Sequence, residues 1–339
     1  MTIINGISGA QETTFVNPSE NFFRFNMDGA QWGAGLGDYV FNEKGWKTVA
    51  SVAEDYSFAY TNFLGFAHEF CKAGGKITER FWVPLGSKDF ASIIAALPDD
   101  VDAVYLGLGG GDAVNFLNQY QQAGGGDVGL IGGTIMVDGT VLSSKGDAKK
   151  LLIGTPSSGP QADTWDDPKW QAYVKAYQDA FPPEKRFPSP SLLATGYYNA
   201  TNAAITCLNE VGGDLSDGHE KFRCCLAKPE LDAPNGRITL DANRQAIGSN
   251  FVTEVVQLDD GNLTNKFVEK IDNVNQTLGQ GRALWTSTGF ALTMPYYSIK
   301  ALNPLGAVPR PPRRPAAKTS QSGHSVMSGS HHGRPMNSL

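Results

Sequence analysis

From Lys47 onward the chain alternates short β-branched or aromatic runs with amphipathic stretches. The first run, Thr48 to Ala53, predicts a strand. A helix follows over Tyr60 to Lys72, where Phe63, Phe66, Ala67 and Phe70 fall at i, i+3, i+4 and i+7 and so share one buried face. Further along, Ile77 to Val83, Val101 to Leu106 and Val128 to Ile131 read as strands. Phe90 to Leu97 and Ala113 to Ala123 read as helices, the second with Asp112 as N-cap and Gly124 as stop. Short connections between alternating strands and helices predict right-handed βαβ units, and hence a parallel sheet covered on both faces.

Asp167-Pro168 opens a further helix, because Asp caps and Pro is tolerated at the first helical position. Its apolar positions Trp170, Val174, Tyr177 and Phe181 give one core-facing stripe, and Pro182-Pro183 stops it. A long helix is expected over Leu192 to Val211 and a shorter one near His219 to Ala227. Phe251 to Leu258 and Leu263 to Ile271 flank Asp259-Asp260-Gly261, a hairpin signal, so the sheet should end antiparallel. Residues 280 to 303 contain Leu284, Trp285, Phe290, Tyr296 and Tyr297 without a recognisable period. Beyond Pro304, Pro, Ser, Gly and Arg dominate and leave almost nothing to bury, so disorder is expected there.

A length of 339 residues predicts two structural units. The formal net charge of -6 conceals a division: residues 1–272 hold all 34 acidic and 21 of the 28 basic groups, whereas residues 273–339 are purely basic. An acidic body should repel nucleic acid, which is excluded as a partner. No window approaches the 18 or so apolar residues of a membrane-spanning helix. Met1 to Ala10 has neither a basic leader nor an apolar core ending in a cleavage site, so the chain as written would stay cytoplasmic. The four cysteines, Cys71, Cys207, Cys224 and Cys225, form no C-x-x-C pair and have no His at ligand spacing, so no metal is expected. Cys224-Cys225 reads as a pair of small helix residues, and no disulfide is assigned.

In an open parallel sheet, ligands lie beyond the carboxyl ends of the strands. Four segments qualify: Glu54 to Phe58, Leu108 to Asp112, Gly133 to Asp138 and Pro156 to Gly159. Their rings, hydroxyls and Gly backbone suit a small polar or zwitterionic molecule with an apolar part. The loop Gly107 to Asp112 does not complete G-x-G-x-x-G, because Asp112 would put an anion where phosphate must bind. It reads as a tight turn capped by Asp112, and no cofactor is expected. Gly6-Ile7-Ser8-Gly9-Ala10 is a degenerate nucleophile elbow, but His68 and His219, the two His of the body, read as structural or solvated. Of Glu54-Asp55, one is expected to orient a ligand amine and the other to cap the next helix. No enzyme is read from these residues.

Three stretches then carry a family likeness: AEDYSFAYTNFLGF (Ala53 to Phe66), GYYNATNAAITCLNEVGGDLSDG (Gly196 to Gly218) and APNGRITLDANRQAIGSNFVTEV (Ala233 to Val255). Together they resemble the type I solute-binding proteins of branched-chain amino-acid ABC importers, with the Gly-x-Ile-x-Leu-Asp-x-Asn-Arg-Gln run the most specific part. The resemblance spans Ile3 to Gly279. It implies an α/β, two-lobed fold with parallel sheets flanked by helices, closing over a ligand like a hinged clamp.

By the same resemblance, Phe58 packs on the ligand, with Tyr56 and Ser57 close by, and Ser8 and Gly9 take a carboxylate. Thr134 stands where leucine-binding members carry an acidic residue for the α-amino group, and Leu108 and Gly109 where an aromatic often sits. Met136 and Leu193 complete the implied ligand set. An amide or aromatic acid is thereby as credible a ligand as leucine; the implied location is the periplasm and the implied partner the permease subunits of an ABC importer in the membrane. The alternative is a ligand sensor of the amide-receptor type, or an inactive fragment.

Because Met1 to Asn5 look like a strand deep inside lobe 1, roughly the first third of a family member is expected to be missing. Residues 1–41 and 189–245 would form a partial lobe 1 with exposed apolar helix faces, and 42–188 with 246–276 an intact lobe 2. Weak ligand binding is expected in consequence, and 277–339 would be an extension foreign to the family.

Overall fold

The structure is a computed structural model and describes residues 1–280 apart from 17 and 229. In chain order, β1 (Ile3–Asn5), α1 (Glu12–Phe15) and β2 (Phe22–Arg24) form a small parallel pair with a helical link. Next come α2 (Gly29–Trp32), α3 (Leu36–Asn42), β3 (Thr48–Glu54), α4 (Ser57–Ala73), β4 (Lys76–Val83), α5 (Ala91–Ala96), β5 (Ala103–Gly107), α6 (Gly110–Gln122) and β6 (Gly129–Gly132). They are followed by α7 (Gly139–Leu142), β7 (Pro156–Gly159), α8 (Pro168–Ala180), α9 (Leu192–Glu210) and α10 (Glu220–Ala227). The described chain ends with β8 (Leu231–Ala233), β9 (Gly236–Leu240), β10 (Ala246–Gln257) and β11 (Leu263–Val274).

The larger sheet runs β4-β3-β5-β6-β7-β10-β9-β8, with β11 added to β10. Strands β4 to β7 pair in parallel, and the pairs made by β10 are antiparallel. This is the expected α/β fold with a mostly parallel sheet and an antiparallel end. Side-chain alternation explains how both faces are covered. Val104 and Leu106 of β5 join Val52, Phe116 and Leu117 on the α6 face, while Ala103 and Tyr105 join Phe63, Phe66 and Phe70 on the α4 face. The helical stripe of α4 is thus one of the two covers. A second core gathers Phe23, Phe25, Ala203, Phe222, Leu226 and Ile238 between α9, α10 and the short strands.

Several local expectations are corrected. Asp112 is not a cap: Gly109 holds the N-cap position of α6, and the Asp112 carboxylate accepts the Gly86 N–H at 2.7 Å. Cys207 and Cys225 form a disulfide, Cα to Cα 5.6 Å, that ties α9 to α10; Cys71 and Cys224 are free. On α8 the buried pair is Trp170 and Tyr173, whereas Tyr177 is half-buried and Phe181 is 49% exposed. Tyr173, Tyr177 and Phe181, with Tyr197 and Tyr198 of α9, line a surface groove between the two helices. Helix α9 also shows Leu193 and Ile205 to solvent. Leu278, placed in the foreign extension by the sequence, packs against clusters containing Leu192, Trp32 and Ala30. The expectations for residues 281–339 lie outside the described residues.

The segments joining the two cores are stitched by buried amides. Gln31 Nε2 donates to the carbonyls of Ala246 (2.9 Å) and Val274 (2.8 Å), and Asn250 Nδ2 to those of Trp32 and Ala34. Gln245 Nε2 donates to the Asn26 carbonyl, and Gln276 Nε2 to Asp28 Oδ2 at 2.7 Å. Three chain passages far apart in sequence are held at one place, because a buried amide left unpaired costs more than the bond returns.

Candidate functional site

Next to this junction lies a cleft of about 300 Å³, lined by Ile7 to Ala10, Trp32, Tyr56 to Phe58, Ile135, Leu192 and Leu193. Each wall is placed by a local rule. Tyr56 is the N-cap of α4, in extended backbone with no side-chain cap, so the first helical N–H groups, starting at Ser57, open on the cleft. Ser191 caps α9 through the Ala194 N–H, which sets Leu192 and Leu193 as its first residues on the other wall. The loop carrying Ser8 is pressed against α9 through two glycines: a Cβ on Gly196 would lie 1.9 Å from the Gly6 carbonyl oxygen. Gly9 in turn lies flat on Phe58, where a Cβ would come within 2.7 Å of the ring.

Three rings form the floor. Trp32 meets Phe58 edge-on at 5.5 Å, and Tyr56 sits 6.0 Å from Phe58 at a tilt of 41°. Burial, together with the neighbouring Glu54, pushes the Tyr56 phenol well above its ordinary value, so it stays a neutral hydroxyl. Glu54 itself is buried, accepts the Gly109 N–H at 2.9 Å, and has its carboxyl raised chiefly by desolvation. It therefore orients the Gly109 turn rather than a ligand amine, and Asp55 accepts the Tyr60 hydroxyl instead of capping α4. Ser57 Oγ donates to Glu12 Oε2 at 2.8 Å. None of the residues lining the cleft carries a charged side chain.

Six of the ten residues named from the sequence meet here: Ser8, Gly9, Tyr56, Ser57, Phe58 and Leu193. The other four lie outside the lining. Leu108 and Met136 are fully buried in the core on the α6 face, because the chain turns under the sheet where β5 and β6 end. Gly109 packs against Ile135, whose side chain takes the lining position. Thr134 is 5% exposed and spent on the protein: its Oγ1 donates to the Ser158 carbonyl at 2.7 Å and accepts from Asn62 Nδ2 at 3.1 Å. Trp32, Ile135 and Leu192 join the site unannounced. For Ile135 the strand-end rule was a usable signal; for Trp32 none existed, since neither β2 nor the short helix α2 that carries it has a hydrophobic period long enough to read.

An apolar cleft with rings on its floor, hydroxyls at its rim and two helix N-termini at its walls is suited in size and chemistry to a small organic molecule. The start of α4, which has no side-chain cap, favours negative charge; at the start of α9 the Leu192 and Ala194 N–H groups are held by Asp138 and Ser191. Residues 3–262 match the family described as periplasmic binding protein, and the chain belongs to that family, a non-enzymatic ligand-binding class. Among curated relatives it is 25% identical over 240 residues to Leu/Ile/Val-binding protein homolog 6 of Brucella melitensis; the match covers 68% of this chain and 58% of that protein's length. Among solved structures it resembles an ABC transporter substrate-binding protein from Sphaerobacter thermophilus (25% identity, TM-score 0.71, 80% of this chain and 73% of that one). It also resembles a solute-binding protein of an ABC transporter from Rhodopseudomonas palustris BisB5, solved with 3,4-dihydroxybenzoic acid (24% identity, TM-score 0.70, 80% and 72%).

Proposed function

We propose that this chain is the substrate-binding component of an ABC importer, and that its cleft takes a small carboxylate with an aromatic or apolar body. Delivery would be to a membrane permease from the periplasm. In this reading residues 1–41 with 189–245 supply one wall, and 42–188 with 246–276 the other. The observation that carries the ligand class is the lining: three rings and five aliphatic side chains, two Ser hydroxyls, the uncapped start of α4, and no carboxylate to hold an α-amino group. The Rhodopseudomonas relative's dihydroxybenzoic acid supports an aromatic acid over a free branched-chain amino acid. The Brucella relative's name points the other way, and Thr134, spent on Asn62 and Ser158, weighs against it here.

Trp32 in the cleft floor gives the assay. Benzoate should change its fluorescence saturably, and leucine should not. At about 0.5 kcal/mol for each of its non-hydrogen atoms, benzoate gains about 4.5 kcal/mol, a Kd on the order of 1 mM. Saturation by leucine at lower concentration than benzoate would overturn the ligand class, and response to neither would overturn the reading.

A further inference from the structure

Apart from the cleft, a cavity of about 20 Å³ lies where four segments meet: the start of α7, the loop after β7, the residues just ahead of α9, and the start of β11. It has room for one water-sized occupant. Gln161, Asp163, Ser189, Thr264 and Asn265 are among its walls, and no basic residue lines it.

This set of oxygens is incompletely matched. Asn265 is 2% exposed and Gln161 8%, yet the side-chain carbonyl oxygen of each has no hydrogen-bond partner among the described residues. Turning the Asn265 amide over would not repair this, because its Nδ2 donates to the Val137 carbonyl at 2.9 Å, which leaves the oxygen as the free end. The Asp163 carboxylate accepts the Asn265 N–H at 2.9 Å and the Thr264 hydroxyl at 3.1 Å. Desolvation pushes its carboxyl up, and a second carboxylate, Asp138, which is 7% exposed, is near enough for the two to repel. Among the described residues no ion pair within 4.0 Å includes either one. Buried carboxylates are ordinarily paired with a cation or bound to a metal, and buried carbonyl oxygens without a partner are costly. What this cavity lacks is positive charge.

We propose that the cavity binds one calcium-sized divalent cation, held by the Asp163 carboxylate and the amide oxygens of Gln161 and Asn265, with Asp138 supplying the second negative charge nearby. Calcium accepts carboxylate, amide, hydroxyl and water oxygens in irregular geometry, whereas magnesium demands an octahedron and keeps several waters, for which there is no room. Among the described residues no group of three or more His, Cys, Asp or Glu could hold a metal; the donors here are chiefly neutral oxygens drawn from separate segments. Bound there, the ion ties the residues leading into α9 to the β7 loop and β11. The site is independent of the ligand proposed for the cleft.

The test takes the full chain, freed of metal with EDTA and dialysed, and follows thermal unfolding by tryptophan fluorescence in CaCl2, MgCl2 or NaCl at one ionic strength. With an affinity like that of extracellular calcium modules, about 10 mM CaCl2 should raise the midpoint by at least about 3 °C. MgCl2 should give less than half that shift, and NaCl none. Gln161→Met and Asp163→Asn should each lose the calcium shift, whereas Asp260→Asn, at an exposed turn carboxylate, should keep it. Should Asp163→Asn fail to fold, Gln161→Met decides. No calcium shift in the parent, or an equal shift with MgCl2, overturns the site. So does a calcium shift that survives in either folded variant, which would mean an adventitious ion only.

Discussion

The contact between Gly6 and Gly196 offers a sharp test of how the cleft is built. Replacing Gly196 by Ala puts a Cβ 1.9 Å from the Gly6 carbonyl oxygen, and contacts below 3.0 Å are essentially never seen for real Cβ atoms. Both sides of the contact are backbone, so no side chain can swing away, and α9 and the Ser8 loop must part by more than about 1 Å. Overpacking of this kind costs about 1–3 kcal/mol, offset by about 1 kcal/mol of gained helix propensity. Because the clash is backbone on backbone the upper part of that range applies, about 2–3 kcal/mol, and a net loss of roughly 1–2 kcal/mol is expected. Gly111→Ala is the matched control: it sits in the first turn of α6 with nothing within 4 Å of its Cβ position. There the same change should stabilise by up to about 1 kcal/mol. Urea unfolding followed by tryptophan fluorescence reads both, the denaturant slope reporting whether two-state behaviour is kept. A Gly196→Ala protein as stable as its parent, while Gly111→Ala gains, would refute the close approach.

Three other outcomes follow from the packing. Denatured but unreduced protein should titrate two thiols, Cys71 and Cys224, and reduction or Cys207→Ser should cost about 3 kcal/mol for a link 18 residues apart; four thiols would contradict the pairing. Glu69 on α4 is half-buried, and desolvation raises its carboxyl from 4.5 to about 7 even though the Gly35 and Gly37 N–H groups favour the anion. The native state thus holds this proton more tightly than the unfolded chain, so stability is greatest below about pH 4.5 for this group. It falls by about 3 kcal/mol as pH rises to about 7, and Glu69→Gln should flatten that slope in urea midpoints measured across the range. Thr134→Val keeps the side-chain shape but strips the hydroxyl's bonds to Asn62 Nδ2 and the Ser158 carbonyl, and should cost about 1–3 kcal/mol while benzoate affinity stays within twofold; a large affinity loss at unchanged stability would place Thr134 on the ligand.

Elements with a strong local signature were legible in the sequence. Strands β3 to β6 and helix α4 follow from hydrophobic period alone, α8 from Asp167 capping the Lys169 and Trp170 N–H groups, and the β10–β11 hairpin from Asp259-Asp260-Gly261. The family likeness added the fold and brought Tyr56, Ser57, Phe58 and the Ser8 loop to one cleft. The misplacements share one cause. Asp112 had every property of a cap, yet a loop 26 residues earlier supplied it with the Gly86 N–H, and the cap position went to Gly109.

What the sequence determined by itself was therefore whatever neighbouring residues decide together: period, caps, turns, and a charge division between an acidic body and a basic end. The tertiary structure decided which polar groups remained for a ligand. Thr134 is taken by Asn62, 72 residues away, and Trp32 enters the cleft floor because Asn250, 218 residues away, holds its carbonyl. Arg24 is buried behind Ala10, and Cys225 finds Cys207 and not its neighbour Cys224. The physical reason is that a buried hydrogen bond or disulfide is chosen by the partner that packing delivers, and no local pattern records who that partner will be.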